Sequence, residues 1–101
     1  MKPLTDYLDT IRVHYDELRD VYHVQRIGIF GSTARGEQTS SSDMDVLVSF
    51  TEPPSMFRFL DLEERLSDLL KRRVDLVTER ALKPAMRERV LRDTVYAEAE
   101  H

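Results

Sequence analysis

Asp43 and Asp45 stand two positions apart at the head of an apolar run, Met44-Asp45-Val46-Leu47-Val48-Ser49-Phe50. In an extended strand successive side chains alternate, so both carboxylates project to one side, roughly 6–7 Å apart at their Cα atoms. Charge at the start of a buried strand is costly unless something compensates it. Two carboxylates so spaced can close on one or two hard cations that keep waters and accept substrate phosphates. Asp75, in the short run Arg73-Val74-Asp75-Leu76-Val77, supplies a third carboxylate if its strand lies alongside. Three converging acids repel one another, and a bound cation relieves that repulsion.

A second group of residues precedes the first. Gly31 and Ser32 follow the β-branched run Val24 to Phe30, and ten residues separate Ser32 from Asp43. Glycine lets a phosphate approach the backbone, and a helix start offers unpaired N–H donors to an anion. The Ser32 hydroxyl adds a donor, and Arg35 on the same turn can neutralise phosphate bidentately. Taken singly, Gly-Ser is a common turn and acids at a strand head are commonly solvated. Together they are specific. An EF-hand is excluded, because no glycine follows the acids and no glutamate closes the loop. Glu37 stands where a P-loop requires lysine, and no G-x-G-x-x-G occurs. His14 and His23 read as surface or helix-packing residues.

The elements that must position these groups follow from periodicity. Leu4, Leu8, Ile11, Tyr15, Leu18 and Tyr22 predict one amphipathic helix from about Thr5 to Tyr22. Val24 to Phe30 reads as a strand. Ser32 is expected to cap a short helix that Gly36 stops, and Glu37 to Ser42 is expected to be loop. The strand Asp43 to Phe50 ends at Pro53-Pro54. A second helix spans about Ser55 to Lys71, with Met56, Phe59, Leu62, Leu66, Leu69 and Leu70 inward. Arg73 to Val77 is a third strand. Pro84 opens a final helix to about Arg92, with Leu82, Met86 and Val90 inward. Val95 and Tyr96 pack the tail, and Glu98 to His101 fray. This order predicts a small α/β sheet covered by helices.

At 101 residues the chain is expected to form a single domain, 1–101, with a modest core to which a partner could add stability. Apolar residues at 41% and charged residues at 34% mark a soluble globular chain rather than a disordered one. The net charge of −4 argues against direct nucleic-acid binding, although a metal ion can supply positive charge locally for a phosphate ligand. Two basic clusters, Lys71 to Arg73 and Lys83, Arg87, Arg89 and Arg92, read first as a strand edge and a solvated helix face, with an anion-binding patch as the alternative. The absence of cysteine excludes disulfides and thiolate metal sites. No apolar run is long enough to span a membrane and no signal peptide is visible, so a cytoplasmic location is expected.

Gly31-Ser32-Thr33-Ala34-Arg35-Gly36-Glu37 and Ser42-Asp43-Met44-Asp45-Val46-Leu47-Val48 together resemble the signature of the minimal nucleotidyltransferases of the DNA polymerase beta superfamily. The likeness is greatest to the MNT-type antitoxins encoded beside HEPN-type toxins. Arg73 to Val77 resembles the strand carrying that family's third acid, and Leu82-Lys83-Pro84 with Arg87 to Leu91 resembles its closing helix. The resemblance implies an α+β fold, a mixed sheet flanked by helices, and Mg²⁺-dependent transfer of AMP from ATP to a partner hydroxyl, typically a tyrosine of the HEPN toxin. It implies that Asp43, Asp45 and Asp75 are catalytic and hold two Mg²⁺ ions, while Gly31, Ser32 and Arg35 bind the nucleotide. A reading of another class is an antitoxin that only binds and occludes its toxin.

Overall fold

The structure, a computed structural model, describes residues 2–37 and 42–98. The chain runs α1 (Leu4–Val13), α2 (Tyr15–Tyr22), β1 (Val24–Phe30), α3 (Gly31–Ala34), β2 (Met44–Phe50), α4 (Met56–Leu70), β3 (Val74–Thr78), a 3-10 turn (Glu79–Ala81), α5 (Pro84–Asp93) and β4 (Val95–Ala97). Most of the expected loop, 38–41, and the end of the tail, 99–101, lie outside the described residues.

The sheet order is β3-β2-β1-β4, with β1 antiparallel to β2 and β4, and β2 parallel to β3. A parallel pair needs a crossover, and α4 provides it. The sheet is therefore mixed, and the α/β expectation holds. Ile27, Ile29, Met44, Val46 and Val48 present one face to Leu8, Ile11 and Leu18 of α1 and α2 and to Leu62, Leu66 and Leu70 of α4. Each such side chain contributes roughly 1.5–3 kcal/mol on burial. Leu47, on the face that also bears Asp45, is fully buried as well, so the second face is covered at its centre.

Strand β3 lies at the edge of the sheet, where unpaired N–H groups invite another chain. Helix α4 closes that edge. The Val74 N–H donates to Ser67 Oγ at 3.1 Å and the Leu76 N–H donates to Glu63 Oε2 at 2.9 Å. Ser55 starts α4 by accepting from the Arg58 N–H, and Lys71 ends it with a left-handed φ of 56°.

Four local expectations are corrected. The predicted helix over 5–22 is two helices broken at His14, whose N–H reaches both Ile11 O and Thr10 O while its Nδ1 donates to Thr10 O at 2.9 Å. These tightened bonds end α1, and the bend lets both helices lie on the sheet. Ser32 is not the cap of α3: Phe30 holds that position and makes no side-chain capping bond. Met56 and Met86 are exposed rather than inward, since each stands in the first turn of its helix, beyond the sheet. Val95 and Tyr96 belong to a fourth strand, not a packed tail. No helix among the described residues is long and apolar enough to cross a membrane.

Candidate active site

Strand β1 delivers the chain to Gly31, which turns with a φ of +74° into the four residues of α3. The turn points at the neighbouring strand. Phe30 pairs with Asp45 across β1 and β2, and a side chain on Gly31 would run into the Asp45 carboxylate, with Cγ at 3.2 Å and Cβ at 3.4 Å. Only glycine allows both that φ and that approach. Gly36, at φ +73°, ends the turn as expected.

On its other side Asp45 stands in register with Asp75 of β3. Parallel neighbours in register share a face about 4.8 Å apart, so the two carboxylates are adjacent. Asp43 lies one residue before β2 and is exposed. Burial, then the charges of Asp75 and Asp43, push the Asp45 carboxyl above the usual carboxylate range, and the Arg35 guanidinium opposes them. All three sequence-predicted acids therefore act on one spot, with Asp45 at its centre. They are not drawn into a closed ligand cage: among the described residues no group of three or more His, Cys, Asp or Glu side chains is gathered closely enough to hold a metal ion.

Two cavities flank this centre. One, of about 550 Å³, is lined by Asp43 and Asp75 together with Leu60, Glu63, Glu64 and Arg73. The other, of about 240 Å³, is lined by Phe30, Gly31 and Arg35 and by Met86, Arg89 and Asp93 of α5. Arg35 here faces two acids, Glu37 at 3.4 Å and Asp93 at 3.6 Å. Both pairs are half-exposed and individually weak, so the guanidinium is available to a stronger anion.

Two residues gain specific roles that the sequence placed only within basic clusters. Arg72 is a strut: Nη2 donates to Ser42 O at 2.6 Å, Nη1 donates to the buried Thr33 Oγ1 at 3.3 Å, and the guanidinium lies 5.6 Å from the Tyr7 ring centroid. It thus ties the α3 turn to the segment that leads into Asp43. Arg89 joins Gly31 and Arg35 at the smaller cavity. For Arg89 the only local signal is its basic cluster, and for Arg72 there is none, because both roles depend on which elements pack together.

A strand-end glycine turn fitted against an acid that stands in register with a second acid offers backbone room for phosphates beside two hard oxygen donors. The chain belongs to the nucleotidyltransferase-domain family, whose profile matches residues 11–97. It is 45% identical over 96 residues to the protein adenylyltransferase MntA of Thermococcus cleftensis, covering 95% of this chain and 97% of that one. A solved structure described as a candidate minimal nucleotidyltransferase superposes with a TM-score of 0.77 at 38% identity, over 93% of this chain and 95% of that one. A toxin–antitoxin crystal structure with AMP-PNP superposes with a TM-score of 0.73 at 25% identity, over 93% of this chain and 74% of that one. The resemblance read from residues 31–48 to the minimal nucleotidyltransferases is thereby borne out, as is the fold it implied.

Proposed function

We propose that this protein transfers AMP from ATP to a hydroxyl, typically a tyrosine, on a HEPN-type toxin partner and so neutralises it. The observation that carries the reading is the fit of the Gly31 turn against Asp45, itself in register with Asp75. The 45% identity to a protein adenylyltransferase supports the acceptor being a protein. The toxin–antitoxin complex with AMP-PNP supports an adenine nucleotide and a toxin partner.

The donor set suits Mg²⁺, being hard carboxylate oxygens only, with two of them on adjacent strands facing one way. Asp43, Asp45 and Asp75 would hold it, and when bound it supplies charge neutralisation at the triphosphate and at the attacking oxygen. The chain's own groups do the rest. The Gly31 and Ser32 backbone lets the β- and γ-phosphates approach, with Arg35 and Arg89 offering cationic donors from the walls of the smaller cavity. Asp75, exposed at the larger cavity, accepts the acceptor's proton and passes it to water. The acceptor oxygen forms a bond to the α-phosphorus as the bond from that phosphorus to the bridging oxygen breaks. Pyrophosphate leaves.

The test is co-expression with a HEPN-type toxin followed by intact-mass measurement of that toxin, beside in-vitro transfer from ATP labelled at the α-phosphate. An AMP adduct that disappears with Asp43→Asn and Asp45→Asn is expected. Tight binding with no adduct and no label transfer would leave occlusion as the mode of neutralisation.

A further inference from the structure

The first two turns of α4 hold three large apolar side chains in water: Phe57 is 87% exposed, Met56 70% and Leu60 50%. The helix has no need of them for its own packing, since Leu62, Leu66 and Leu70 already supply its core face. Phe57, Leu60 and Glu64, at i, i+3 and i+7, share one side of the helix. Leu60 is at the same time a wall of the 550 Å³ cleft that contains Asp43 and Asp75, alongside Glu63 and Glu64. An apolar ridge therefore continues into the acidic cleft where the acceptor hydroxyl must enter. Clustered apolar surface bordered by charge marks a contact site.

Charge specifies the occupant. Four carboxylates and one guanidinium line the cleft. The nearby cations of α4 are engaged elsewhere: Arg65 pairs with Glu17 at 2.7 Å, and Arg58 lies 5.9 Å from the Tyr22 ring centroid. Resting on the transfer reading above, we propose that Met56, Phe57 and Leu60 are the docking ridge for the acceptor protein. The segment that binds carries an apolar anchor for the ridge and a basic side chain for Glu63 and Glu64, next to the hydroxyl that is modified. A second copy of this chain fits poorly, because a two-fold contact through α4 would bring Asp61, Glu63 and Glu64 of both copies together.

The experiment compares four acceptors in label transfer from ATP: N-acetyltyrosinamide, a one-tyrosine peptide with a leucine anchor and arginines, and the same peptide with the anchor changed to serine or the arginines to glutamate. The wild-type chain is expected to prefer the anchored basic peptide through KM. Phe57→Ser and Met56→Ser are expected to raise that KM about tenfold with kcat held, the size of losing one buried apolar side chain. Glu64→Lys should reverse the preference between the arginine and glutamate peptides. All three variants are checked by thermal melting. An unchanged KM in Phe57→Ser, or no preference among the peptides, overturns the ridge. So does a wild-type dimer that Phe57→Ser dissociates. Failure of the wild type on all four acceptors together with no AMP adduct on a co-expressed HEPN-type toxin instead overturns the transfer reading and the ridge with it.

Discussion

A side chain on Gly31 would occupy the space already held by the carboxylate of Asp45. Turn and acid are thus one fitted unit, made by the antiparallel pairing of β1 with β2. Gly31→Ala forces a methyl group into that space and a left-handed φ on an L-residue, which alone costs about 1–2 kcal/mol. The thermal midpoint is expected to fall by about 5–10 °C in a chain of this size, with AMP transfer lost. A melt and a label-transfer assay on one preparation check both effects, and a variant indistinguishable from wild type would contradict the fit.

Asp45 is held above the usual carboxylate range, chiefly by burial and then by Asp75 and Asp43. A raised carboxyl binds its proton more tightly folded than unfolded, so its contribution is present at acid pH and is lost as pH rises through the folded pKa. Metal-free Asp45→Asn, which cannot ionise, should therefore melt a few degrees higher than wild type at neutral pH. That advantage should vanish on acidification below the ordinary aspartate range. Melting both proteins in chelator across that pH span tests the sign.

Divalent cations should reverse the penalty. With Mg²⁺ at ten times its dissociation constant, linkage gives about 1.4 kcal/mol of added stability. Asp43→Asn combined with Asp45→Asn should show no such gain and should lower AMP transfer about 10³-fold, several kcal/mol of transition-state stabilisation. Melting curves against Mg²⁺ concentration and steady-state transfer rates measure the two quantities independently.

Arg72 holds the α3 turn to Ser42 through two hydrogen bonds from one planar group. Lysine keeps the charge but cannot span both acceptors. Arg72→Lys is expected to cost about 1–3 kcal/mol and to lower kcat, because the turn and Asp43 lose their common brace. Hydrogen exchange at Thr33 and Ala34 should rise in step. Unaltered exchange with a lowered Tm would make Arg72 structural only.

Much of the site was legible before folding, for reasons that lie in the local chain. Alternation along β2 put Met44, Val46 and Val48 on the core side and Asp45 on the other, because strand side chains repeat every two residues. Ser55 and Lys71 bounded α4 through local backbone chemistry. The break at His14 escaped periodicity, since Leu8, Ile11, Leu18 and Tyr22 keep a helical spacing through it. Strand β4 escaped as well: Val95–Ala97 is three residues long and gains its hydrogen bonds only from β1.

The sequence by itself determined which residues could be acidic, which turn could admit an anion, and the spacing of each within its own segment. Those properties are carried by side-chain type and by periods of two or 3.6 residues. Tertiary structure alone decided that Asp75 stands beside Asp45, that Arg72 braces the turn, and that Arg89 faces Gly31. Each of these joins segments tens of residues apart, and strand order and register, set by burial of the whole sheet, are what bring them together.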